Sequence, residues 1–87
     1  MEQNELYELY EKICDFLLNY MTYHCTYIPM DYQLGINGTY LTFEVLVSSD
    51  QGEGSEWIED WWINNDGNIY SPYDTYKDFD EFKTNFL

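Results

Sequence analysis

Ten consecutive residues, Thr39 to Ser48, alternate so strictly that one local structure fits them. Leu41, Phe43, Val45 and Val47 fall on one parity, and Tyr40, Thr42, Glu44 and Leu46 on the other. That period of two is the mark of a strand with one side toward a core. Asn37-Gly38 supplies a turn signal before it, after a connector expected from Asp31 to Asn37. The polar, glycine-rich run from Ser49 to Ser55 reads as a loop leading to a second strand from Glu56 to Asn64. Asp66-Gly67 is a hairpin signal, and Asn68 to Ser71 can return as a third strand that stops at Pro72.

The first third of the chain has a different period. On a helical wheel Leu6, Leu9, Ile13, Phe16, Leu17, Tyr20 and His24 share one face, while Glu5, Glu8, Glu11 and Asp15 lie opposite. Asn4 is the expected N-cap, and Pro29 must end this helix if Tyr23 to Tyr27 has not already done so. At the other end, Asp74 or Thr75 is expected to cap a short helix in which Tyr76, Phe79, Phe82, Lys83 and Phe86 recur at helical spacing. No repeat or linker divides the chain, so residues 1–87 read as a single domain. Its expected class is α+β: a long N-terminal amphipathic helix, a three-stranded antiparallel sheet and a short C-terminal helix, with the helices on one sheet face.

Charge then separates this chain from an ordinary small domain. Seventeen carboxylates against three lysines leave a formal charge of −14, yet aromatic residues make up 21% of the 87. An acidic chain poor in aromatics stays unfolded because it cannot bury enough apolar surface. Here the aromatic side chains compensate for a core of marginal size. The resulting negative field repels nucleic acid and anionic membrane and attracts basic protein surfaces. The sequence shows neither a charged signal-peptide start nor an apolar run of membrane-spanning length. Cys14 and Cys25 are too few for a disulfide framework, and eleven residues apart on one helix they would stand about 16 Å from each other. Reduced thiols fit a cytoplasmic protein, and that location is expected.

Catalysis has little support in the residues. His24, the only histidine, falls on the apolar side of the first helix, and Cys25 points about 100° away from it. Among seventeen carboxylates a close pair arises by chance, so pairing alone does not indicate acid–base chemistry. Asn64, Asp66 and Asn68 around Gly67 miss the EF-hand pattern because Trp62 stands where an acid or amide is required. The expectation is therefore no enzyme, no cofactor and no dedicated metal site.

What remains is the acidic surface. The second strand alternates imperfectly: Trp57, Glu59, Trp61 and Ile63 share one parity, and Glu56, Ile58, Asp60, Trp62 and Asn64 the other. Its tryptophans are either core residues of a central or bulged strand or exposed anchors of an interface. The candidate partner-binding residues are Asp50, Glu53, Glu56, Trp57, Glu59, Asp60, Trp61 and Trp62, joined by Asp66 in the turn and by Asp74, Asp78, Asp80 and Glu81 near the end. In this set charge for steering and apolar area for residence occur together.

The acidic small-chain format, the strand-turn-strand around Asn64-Asn65-Asp66-Gly67-Asn68-Ile69-Tyr70 and the acidic terminal segment from Asp74 to Leu87 resemble phage-encoded anti-CRISPR proteins that inhibit Cas9. The resemblance implies a small α+β DNA mimic that fills the basic groove where Cas9 reads its protospacer-adjacent motif. Arginine forks in that groove match carboxylates as well as guanine edges. Trp57, Trp61 and Trp62 depart from a purely electrostatic mimic. The same chemistry would serve an immunity protein neutralising a basic nuclease toxin. A third reading is a phage assembly protein that homo-oligomerises through exposed aromatics.

Overall fold

The first helix is set by its opening residues. In the computed structural model, which describes residues 2–20, 25–49 and 55–86, α1 spans Gln3–Asn19 with Glu2 as its N-cap, in place of the expected Asn4. The Glu5 carboxylate reaches back to accept from the Glu2 N–H at 3.0 Å, occupying a donor at the end of the helix. Leu6, Leu9, Ile13 and Leu17 are buried along one stripe. Glu5, Glu8, Glu11 and Asp15 are exposed on the outer side. His24 and Tyr23 lie outside the described residues.

The sheet is larger than expected. Among the described residues it has five antiparallel strands in sequential order, not three: β1 (Cys25–Leu34), β2 (Tyr40–Ser49), β3 (Ser55–Asn64), β4 (Ile69–Tyr70) and β5 (Thr75–Tyr76). Thus the segment around Pro29, expected as a helix end and connector, is an edge strand, a position that tolerates a residue with no N–H to donate. Pro29 pairs with Val45 and Tyr32 with Phe43, so Met30 and Asp31 together oppose the single residue Glu44. This is a β-bulge. The Tyr10 hydroxyl donates to the Met30 carbonyl at 2.6 Å and ties the bulge to α1. Cys14 lies on α1 and Cys25 opens β1, so the two cysteines do not share a helix.

The remaining connections follow their turn chemistry. Between β1 and β2, Asn37 adopts φ 59° within a 3₁₀ turn from Ile36 to Gly38, a left-handed conformation that asparagine tolerates. Between β3 and β4, Asn64 Oδ1 accepts from the N–H groups of Asp66 and Asn68, each at 3.0 Å. Gly67 there has φ 86°, which only glycine adopts at little cost. Thr75 and Tyr76 belong to β5, so the last helix starts later than expected. Helix α2 spans Phe79–Asn85, and its cap is Asp78, whose carboxylate accepts from the Glu81 N–H at 2.8 Å.

Both helices join the core on one sheet face. Leu41, Phe43, Val45 and Val47 of β2 and Trp61 and Ile63 of β3 are buried there with the α1 stripe and Phe82 of α2. Ring contacts fill the space between layers: Phe16 of α1 meets Phe82 at 5.1 Å, and Trp61 meets Phe86 at 5.4 Å, both edge-on. Such edge-to-face pairs add about 0.5–1.5 kcal/mol each beyond buried area. This core accounts for part of the aromatic content, while Tyr7, Tyr32, Tyr40, Trp57, Trp62 and Tyr73 remain exposed. Among the described residues no helix is long and apolar enough to cross a membrane.

Candidate partner-binding face

The parity that turns Leu41, Phe43, Val45 and Val47 inward leaves the other side of the sheet open. Strand register brings its side chains into cross-strand rows. Ile28, Leu46 and Ile58 pair directly across β1, β2 and β3, and Ile28 and Ile58 remain 44% and 54% exposed. The next row holds Asp31 at the bulge, Glu44 and Asp60, of which Glu44 and Asp60 are direct cross-strand partners. Gln33, Thr42, Trp62 and Tyr70 follow. Glu56 pairs with Ser48 on the far side of the aliphatic row. The face therefore runs acidic, aliphatic, acidic, aromatic along β3.

Two details give this face its character. Like charges directly opposite one another destabilise a sheet by about 0.2–1 kcal/mol, so the Glu44/Asp60 pair lowers stability where it stands. Met30, Asp31, Gln33, Thr42, Glu44 and Asp60 border a shallow groove there. Beside it, the Trp62 and Tyr70 rings stack at 3.9 Å with planes 9° apart, and Tyr70 is held through its hydroxyl, which accepts from Asn64 Nδ2 at 3.2 Å. Trp62 is 41% exposed, so a large ring is presented to solvent in a fixed orientation.

The opposite parity of β3 uses similar residues differently. Trp61 is 1% exposed and belongs to the core, so it is withdrawn from any partner. Glu59 is 7% exposed and is likewise not an outward acid. Its carboxylate accepts from Trp57 Nε1–H at 2.9 Å, from Trp61 Nε1–H at 3.1 Å and from the Tyr73 hydroxyl. A buried carboxylate without hydrogen bonds would be very costly. Here the three donors are neutral, and they gather three aromatic rings about one carboxyl group. Tyr73 is exposed, but its hydroxyl is engaged by Glu59; partial burial, then the hydrogen bond to Glu59, pushes its phenol pKa well up. Burial foremost, with a contribution from Cys14, does the same to Tyr10.

The other sequence candidates are dispersed. Glu56, Asp60 and Trp62 meet on the open face. Trp57 is 40% exposed on the helix-side parity, at the end of β3 that β4 does not reach. Asp66 lies in the turn, and Asp74 is exposed in the β4–β5 connection, where its backbone carbonyl accepts from Ser71. Asp78 caps α2, Asp80 stands 3.6 Å from Lys83, and Glu81 is half-buried on the same helix. Asp50 and Glu53 lie outside the described residues. Sequence reasoning did not include Ile28, Asp31, Glu44, Leu46 or Ile58 in the site. For Glu44, Leu46 and Ile58 the signal was present, since outward parity on two paired strands places them together. Comparison with protein-family models, curated proteins and solved structures gives no match to this chain.

Proposed function

We propose that this chain is an anti-defence inhibitor that binds a basic nucleic-acid-binding groove of a bacterial nuclease, in the manner of the anti-CRISPR inhibitors of Cas9 that it resembles. The observation that carries the reading is a sheet face on which Glu44, Glu56 and Asp60 alternate with Ile28, Leu46, Ile58 and Trp62. The chain's only lysines, Lys12, Lys77 and Lys83, lie outside β1 to β4. A −14 field draws a cationic surface in from solution, with steered association reaching about 10⁸–10⁹ M⁻¹s⁻¹. Apolar bands between the carboxylates then lengthen residence, which a purely electrostatic mimic lacks.

The test is binding to purified guide-loaded Cas9 with a protospacer-adjacent-motif duplex as competitor. Displacement of the chain by the duplex, association that slows markedly between 50 and 200 mM salt, and no affinity of the chain alone for duplex DNA are the expected results. Binding to a basic nuclease toxin but not to Cas9 would replace this reading with the immunity-protein one. Affinity for free DNA would remove both.

A further inference from the structure

We infer that the open sheet face is the contact surface, and that its occupant is a cationic protein segment in which arginine and apolar side chains alternate about every 7 Å along one side. The inference rests on the proposed binding of a basic partner and adds the face and the pattern recognised. Along β3, Glu56, Ile58, Asp60 and Trp62 share one side, and successive same-side residues of a strand lie about 6.6–6.8 Å apart. Acidic and apolar groups therefore alternate at that interval. Glu44 and Leu46 extend the pattern to β2 in register. An extended segment laid over the face at the usual sheet-packing distance of about 10 Å presents its own same-side residues at the same interval. Basic groups can then meet Glu56 and the Glu44/Asp60 pair while apolar groups meet Ile58, Leu46 and Trp62.

Arginine suits these positions better than lysine. Its planar fork matches a carboxylate with two donors and stacks on an aromatic face, and Trp62 is held for such a contact by Tyr70. A cation between Glu44 and Asp60 also relieves the repulsion that the free protein carries. Charge argues against a second copy as the occupant, because each chain brings −14 to the contact. The outer side of α1 differs: its apolar stripe is already buried against the sheet, and Leu18 and Tyr7 are exposed on this helix without the register that sets acidic and apolar groups at a strand's interval.

The experiment titrates the full isotope-labelled chain with a cyclised hairpin peptide that displays Arg and Leu alternately on one side, followed by amide NMR. A preorganised peptide avoids much of the ordering cost of binding. Shifts should concentrate at Glu44, Leu46, Ile58, Asp60 and the Trp62 indole N–H. Asp60→Lys, an exposed change whose fold is checked from the same spectra, should weaken binding more than about tenfold. A peptide with each Leu replaced by Ser should also bind about tenfold more weakly. Shifts on α1, equal binding of the two peptides, no binding, or sedimentation showing a dimer formed through this face would each overturn the inference. Hairpin binding as expected without inhibition of Cas9 removes only the nuclease reading. Inhibition of Cas9 that survives Asp60→Lys removes only the face.

Discussion

The two sides of β3 are built from nearly the same residues and end in opposite states. One carries Trp57, Glu59, Trp61 and Ile63; the other carries Glu56, Ile58, Asp60, Trp62 and Asn64. On the first side Glu59, Trp61 and Ile63 are buried while Trp57 stays 40% exposed at the strand end, and the carboxylate of Glu59 gathers neutral donors from three rings. On the second, Asp60 faces Glu44, and water is left to solvate both. A tryptophan and an acid two residues apart thus make a structural anchor on one side and a candidate docking surface on the other. Residue type does not decide the role; what covers it does.

The strongest way to break this contrast is to truncate each tryptophan. Trp61→Ala should cost about 3–5 kcal/mol, as large-to-small changes of buried aromatics do, whereas Trp62→Ala should cost no more than about 0.5–1.5 kcal/mol for its lost stack. Urea denaturation of both variants measures this, and equal losses would show that the sides are not distinct. The carboxylates come next. Glu59→Ala strips the acceptor from the buried Trp61 indole and should cost about 1–3 kcal/mol, with altered tryptophan emission. Asp60→Ala should stay within about 0.5 kcal/mol of the parent.

Titration with alkali sharpens the comparison from the covered side. The pKa values of Tyr10 and Tyr73 are raised above 10.0. Up to about pH 10 these phenols are protonated in folded and unfolded chains alike, and their contribution to stability is intact. Above that, the unfolded chain releases protons that the folded one retains, so stability should fall as pH rises. Phenolate absorbance should accordingly show late-titrating tyrosines, lost in Tyr10→Phe and Tyr73→Phe. The smallest effect belongs to the open side: Glu44→Gln should stabilise the fold by about 0.2–1 kcal/mol by removing a like-charge pair, while slowing capture of the cationic hairpin. If it destabilises, the pair is not repulsive.

Legibility in the sequence followed the regularity of each segment. β2 was plain because ten residues keep one phase, and the turn at Asn64 to Asn68 because its asparagines and glycine have few other uses. β1 was hidden by its own bulge. Tyr27 and Pro29 hold one phase and Tyr32 and Leu34 the other, so the alternation slips by one residue in the middle of the strand. Pro29 reinforced the wrong reading, since proline suggests a helix end as readily as an edge strand. β5 has two residues, too few to show any period. For the site, charge led only to the expectation of a basic partner, and the roles of Glu59 and Asp60, adjacent in sequence, depended on which side of the strand is covered.

The bulge at Met30 and Asp31 has a consequence for how the molecule behaves in a crowded solution. β1 is a ten-residue edge beside an exposed aliphatic row, and such an edge is a template on which further chains can polymerise. Pro29 removes one ladder donor, and the bulge bends the strand away from a straight neighbour. At neutral pH the −14 charge adds mutual repulsion. Near the isoelectric point, ≈ 4.1, that repulsion vanishes, and the interruption in β1 becomes the principal guard on this edge against fibril growth.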